Sequence, residues 1–220
     1  GSKADVAAAA RRAGLQFVII TDHGDGTRSP DPAESIDSVL VIDAVEISTN
    51  GGHYLALGLP QAPYPLAGDA AAVVEDVARL GGFGIVAHPD HPREELAWRD
   101  WSLPVDGLEW INADSEWRGE GPVVFARSLA HYLVRPAGTI AAMFDRPDTA
   151  LARWDELNRT RRVVGLAAVD AHGGGNRGEA HGGEGGIVFG PGYDSSFRAL
   201  TNRVVLDAPF TGGAASDASR

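Results

Sequence analysis

Seven histidines are spread over 220 residues, and four stand at the end of an apolar run or on the hairpin behind one. Phe17–Ile20 leads into Thr21, Asp22 and His23, and Val39–Val45 into Glu46. Ile85–Ala87 leads into His88, and Leu166–Val169 into Asp170 and His172. His53 opens the return arm of the hairpin behind Glu46 and can reach the same place. Imidazole nitrogens and carboxylate oxygens together suit Zn, Mn or Fe, and clusters of them can hold more than one ion. Taken singly, each residue has an ordinary role. A histidine after a strand usually hydrogen-bonds a loop, Asp22 can cap a turn, and Asp170 can cap a helix. The recurrence on four separate runs favours one shared metal site.

Other chemistries lack their residues. With no Cys there is no thiol nucleophile, Cys-ligated zinc or disulfide, and Lys3 is the only lysine, so Schiff-base and Walker-type chemistry are excluded. No G-x-S-x-G elbow occurs. Nineteen Lys and Arg against 30 Asp and Glu give a formal charge of −11. That balance repels a polyanionic backbone, so a small-molecule substrate is expected and duplex nucleic acid is not. No run approaches the ~18 apolar residues of a membrane span. Ala7–Ala10 precede Arg11 and Arg12, the reverse of a signal peptide, which leaves the cytoplasm as the favoured compartment. Oligomeric state is not legible.

The elements that must position these residues alternate between the two periodicities. Helices are expected over Asp5–Ala13, stopped by Gly14, over Asp69–Leu80, over Pro122–Leu133 and over Asp148–Asn158. Strands are expected at Phe17–Ile20, at a hairpin of Val39–Ile47 and His53–Leu57, and at Gly84–Ala87 and Gly107–Trp110. Further strands are expected at Val163–Val169, Ile187–Phe189 and Arg203–Leu206. Gly24–Ser38 reads as a loop, as does the glycine-dense Gly173–Gly186, a candidate lid in which His181 could carry a proton. Strands alternating with helices argue an α/β fold with a largely parallel sheet or barrel. The carboxyl ends of such strands share one rim, where active sites are found.

The chain resembles the PHP superfamily, the metal-dependent hydrolases named for polymerase and histidinol phosphatase. The matching stretches are 13–23 (AGLQFVIITDH), 45–48 (VEIS) with 53–58, 85–89 (IVAHP), 107–112 (GLEWIN) and 169–172 (VDAH), in family order. Within it, Thr21–Thr27 and the Asp106–Trp110 stretch look like the branch that contains the carbaryl hydrolase. The resemblance implies a distorted (β/α)7 barrel with two or three divalent ions at its rim. It implies His23, Glu46, His53, His88, Asp170 and His172 as ligands, with Glu46 a bridge and Asp22 orienting His23 or a water. The family's opening strand, which bears His-x-His, has no counterpart before Lys3. Residues 1–210 are therefore expected to be one truncated domain that binds fewer ions or binds them more weakly, with 211–220 starting a further helix or linker.

Around that set, Asp22 and His91 are candidate catalytic acids, with His53 a third. Arg28 and Arg118 could hold an anionic oxygen, and Glu109 and Asn112 could touch substrate from another strand end, a structural hydrogen-bonding role being the equal alternative for Glu109. Trp98, Trp101 and Trp117 are core anchors or a platform for an aromatic substrate. The expected activity is hydrolysis by metal-activated water, of a phosphoester as in most of the family. The alternatives are a carbamate or carboxylic ester, as in the nearer branch, or a non-catalytic scaffold.

Overall fold

The computed structural model describes residues 1–119, 121, 123–124, 128, 131–172, 191–211 and 214–219, without the side chains at 117, 118, 215 and 216. Helix α1 (Lys3–Ala13) starts with a capping box in which Ser2 and Asp5 bond each other's backbone, and ends at Gly14 in the left-handed region. Its Val6, Ala7 and Ala10 bury against Val18 and Val41, which belong to β1 (Phe17–His23) and β3 (Val39–Thr49), and against Phe197 of the later helix Tyr193–Ala199.

The stretch expected to be a loop before β3 contains a short strand, β2 (Glu34–Ile36). A two-residue turn at Asp37 and Ser38, both at positive φ, folds it back antiparallel onto the first residues of β3. Asp-Ser is not the usual Asn-Gly signature of such a turn, so periodicity did not reveal it. The second half of β3 pairs antiparallel with β4 (Gly52–Leu57), which pairs antiparallel with β5 (Phe83–Val86). Strands β6 (Gly107–Asn112) and β7 (Val164–Ala168) follow in parallel. The order is β1-β3-β4-β5-β6-β7, with β2 on β3. The sheet is a curled half-barrel, mixed rather than largely parallel, because the hairpin reverses direction at β4.

On the outer face, α2 (Ala70–Arg79), capped by Asp69, lays Val73, Val74 and Val77 against Tyr54, Ala56 and Val86. The helix over Asp148–Asn158 sits as expected, and its Trp154 ring lies against Gly165 of β7, where a Cβ would be 2.6 Å from the ring. Trp98 is a core anchor, stacked on Tyr54, and Trp101 packs beside it. The inner face holds a small apolar cluster, Leu55, Ile85 and Ala87, with Leu57 and Leu166 beside it.

Residues 203–206 form no strand; instead Asn202 bonds Ala167 of β7 with both its amide groups. Three helices escaped the periodicity reading: α3 (Ala113–Gly119), α4 (Pro136–Ala141) and, after α5 (Asp148–Asn158), α6 (Tyr193–Ala199). All are too short for a repeating stripe. Helix α7 (Ala214–Ala218) returns to β2 and β3, with Asp217 accepting from Thr211. Much of the helix expected over 122–133, the glycine loop, His181 and the strand expected at 187–189 lie outside the described residues.

Candidate metal centre

Pleat and register explain the first half of the rim. His23 of β1 pairs directly with Glu46 of β3, so both side chains point to the same, inner face. β4 runs antiparallel, which brings its first residues to the end where β3 finishes: Ser48 pairs with His53. The result is a group in which one donor atom each of His23, Glu46 and His53 lies within 4.8 Å of the others. His53 Nδ1 stands 2.6 Å from Glu46 Oε1 and its Nε2 3.3 Å from Ser48 Oγ. The His23 and His53 rings meet edge to face at 5.2 Å.

The second half comes from the loops that follow β5 and β7 and from the start of α3 after β6. His88 Nε2 lies 3.1 Å from the same Glu46 Oε1, and its ring packs 5.0 Å from that of His53 and 5.2 Å from that of His91. Asp170 and His172 stand across the rim: His172 Nε2 is 3.8 Å from Asp170 Oδ1 and its Nδ1 is 3.9 Å from Asp114 Oδ1. Two residues here have left-handed backbones without being glycine, His88 at φ 28° and Asp170 at φ 45°. Such conformations persist only where the surroundings fix them, and they cluster at functional sites.

Glu109 and Asn112 lie beneath the rim, 5% and 4% exposed. Glu109 Oε2 accepts from the His88 N–H at 2.7 Å and from Asn112 Nδ2 at 2.9 Å, while Asn112 Nδ2 also reaches Asp170 Oδ2 at 3.4 Å. A bulge at Trp110 shifts the pairing of β6 with β7, and this brings two residues three apart onto one face.

Electrostatics follow from this crowding. Burial alone would raise the Glu46 carboxyl, but hydrogen bonds from His53 and His88 and the charge of His23 reverse the direction and hold it far below the usual carboxylate range. Burial works to lower His88, yet the Glu46 bond and the charges of Glu46, Glu109 and Asp170 raise it to about 9. Burial, assisted by the Asp170 charge, pushes Glu109 up to about 7. Burial and then Glu46 also raise Asp170. His91 is pushed down to about 4 by burial and by the charges of His88 and Arg93. Its Nδ1 accepts the Arg93 N–H at 3.0 Å, so the neutral ring carries its proton on Nε2.

The donor set fits a divalent cation. Two imidazole nitrogens, His53 Nδ1 and His88 Nε2, converge on one carboxylate oxygen, and His88 Nδ1 is buried with no hydrogen-bond partner among the described residues. An orphaned polar atom of this kind costs about 1–3 kcal/mol and in native sites marks a bound water or ion.

The structure thus brings together His23, Glu46, His53 and His88, and sets Asp170 and His172 across from them. Asp22 follows the pleat to the outer face, where it lines a cavity of about 110 Å³ with Arg28 and Asp43. There Arg28 grips the Asp43 carboxylate with bonds of 2.9 and 2.8 Å, away from Glu46. The Arg118 side chain lies outside the described atoms. Asp114, buried beside His91 and His172, was not singled out from the sequence. The one signal in the sequence is its position two residues past the end of a strand that carries Glu109.

No protein-family model and no curated protein matches the chain. Among solved structures, PsfC from Pseudomonas syringae PB-5123 is similar at 14% identity and a TM-score of 0.47, over 76% of this chain and 66% of that one. The lesion-specific endonuclease PfuEndoQ from Pyrococcus furiosus is similar at 18% identity and a TM-score of 0.37, over 49% of this chain and 36% of that one. Endonuclease Q in complex with a 27-mer duplex substrate, with an abasic lesion at the active site, gives 17% and 0.35 over 51% of this chain and 39% of that one. The chain thus spans less than two thirds of each, and the functional reading rests on the rim's own geometry.

Proposed function

We propose that the chain carries the catalytic core of a metal-dependent hydrolase that acts on a phosphoester. The observation behind this reading is that donor atoms of His23, Glu46 and His53 lie within 4.8 Å of one another on the inner face, with His88 Nε2 3.1 Å from the same Glu46 and its Nδ1 without a hydrogen-bond partner among the described residues. His23, Glu46, His53 and His88 would hold a cation, and Asp170 and His172 a second or third. Such an ion, zinc, manganese or iron by its donors, would supply a coordinated water of lowered pKa and would polarise the scissile oxygen. The protein's own contribution is to fix the ligands. His91, a neutral ring with its proton on Nε2, would give the leaving oxygen a hydrogen bond rather than a proton, because burial and neighbouring charge push its own protonation down to about 4. A phosphoester is the chemistry that the PHP resemblance carries most broadly.

The test has two readouts. After loading with Mn2+ or Zn2+ and removal of excess, the protein is expected to retain metal, and Glu46→Ala to lose it. Loaded protein is then offered an aryl phosphate, a phosphodiester, an aryl carbamate and a duplex with an abasic site. Turnover of either of the first two supports the reading, and turnover of the carbamate alone moves it to ester cleavage. Turnover of the duplex overturns the expectation drawn from charge. Retained metal with no turnover on any of them leaves a scaffold.

A further inference from the structure

We infer that Glu109 and Asn112 act as a brace that holds the left-handed backbone of His88 and the carboxylate of Asp170 in place, and so are positioning residues of the rim. His88 and Asp170 are the two rim residues whose own conformational preference opposes the fold, since a side chain at positive φ costs about 1 kcal/mol or more. Both meet the same pair of side chains. Glu109 Oε2 takes the backbone N–H of His88 and one hydrogen of Asn112 Nδ2. The same Nδ2 reaches Asp170 Oδ2.

The orientation of the Asn112 amide is not arbitrary. Its Oδ1 accepts the Ser115 N–H at 3.0 Å and caps α3, which turns the NH2 group towards the two carboxylates. The chain of contacts therefore runs from the start of α3 through Asn112 to Glu109, and ends on the backbone of His88 and the carboxylate of Asp170. The Trp110 bulge is what makes it possible, for regular alternation would put residues 109 and 112 on opposite faces. Both residues are buried, so their polar groups are committed to this network.

The link to metal rests on the function proposed above; the hold on the backbone does not. The experiment separates them by measuring amide hydrogen exchange at His88 in metal-free protein and Mn2+ affinity in the same variants. Glu109→Leu is expected to speed exchange at the His88 amide at least ~10-fold, and Glu109→Gln, which keeps an acceptor oxygen, to restore protection. Asn112→Ser keeps an oxygen for the α3 cap but cannot span to Glu109 and Asp170. It is expected to weaken Mn2+ binding about 10–100-fold while the amides of β3 and β4 exchange as in the wild type. Unchanged His88 exchange in Glu109→Leu, or wild-type Mn2+ affinity in Asn112→Ser, overturns the brace. A wild-type chain that takes up no Mn2+ ends the metal reading instead, and the brace is then judged on the His88 amide alone. Should Glu109→Leu not fold, His88 exchange in Asn112→Ser decides.

Discussion

The two halves of the rim reach the same place by different means. At His23, Glu46 and His53 the side chains are aimed by regular strands: register and pleat put them on the inner face, and the backbone is unstrained. At His88 and Asp170 the chain has left its strand, the backbone is left-handed, and side chains from β6 must hold it there. A strand delivers a ligand at no conformational cost but only at every second position and at a fixed height. A braced loop places one anywhere, at the expense of strain and of buried polar groups that must be satisfied.

If the strand half depends on its hairpin, breaking the turn should have the largest effect. Gly52 sits at φ +116°, and a Cβ there would lie 2.7 Å from the carbonyl oxygen of Ala97 and 2.9 Å from the Trp98 Cα. Both obstacles are backbone, so they cannot swing aside. Gly52→Ala is expected to cost about 3 kcal/mol in urea unfolding and to displace the neighbouring His53. A loss below about 1 kcal/mol would show that the β3–β4 turn is softer than its geometry and that His53 is not fixed by it.

A pH titration of chelator-stripped protein weighs one half against the other. In the loop half, folded His88 keeps its proton up to about 9 whereas an unfolded histidine releases it near 6.5, so its contribution is complete below ~6.5 and lost as pH rises towards 9. Glu109 acts in the same direction, since its folded carboxyl holds a proton up to about 7 and stability falls from ~4.5 upwards. In the strand half, Glu46 is depressed, so its contribution is present above ~4.5 and lost only in acid. The Tm of stripped protein is therefore expected to fall between pH 6.5 and 9, with a shallower fall in His88→Gln. A Tm that stays level or rises over that range would contradict the loop half's electrostatics.

The same division decides what could be read from the sequence. The strand residues were legible because alternation and an Asn50-Gly51-Gly52 turn specify the β3–β4 register, and register alone sets His53 opposite Ser48. That alternation also shows why Asp22 and His23 part company: neighbours on a strand face opposite ways, which leaves Asp22 with Arg28 and Asp43 on the outer side. The loop half was legible only as residue types. Nothing in Gly-Leu-Glu-Trp-Ile-Asn announces a bulge, so the sequence left Glu109 between a substrate contact and a structural hydrogen-bonding role; Glu109 and Asn112 both lie buried under the rim. Asp114 stayed hidden because its proximity to His172 depends on how α3 leaves β6, and a seven-residue helix has no period to show it.

The smallest effect is also the one that separates the halves by sign. Where glycine is indispensable at position 52, glycine at position 170 should help the metal-free fold. Asp170 has φ 45°, which glycine adopts freely, and its carboxyl is disfavoured by burial and by the Glu46 charge. Asn112 Nδ2 would keep its 2.9 Å bond to Glu109, so Asp170→Gly strands no donor. Stripped Asp170→Gly protein is therefore expected to be about 1 kcal/mol more stable than the wild type in urea, while taking up less Mn2+. A gain in stability with a loss of metal is what a residue kept for binding should show. A variant that is less stable and binds metal as before would mean that Asp170 serves the fold, and the contrast between the two halves would dissolve.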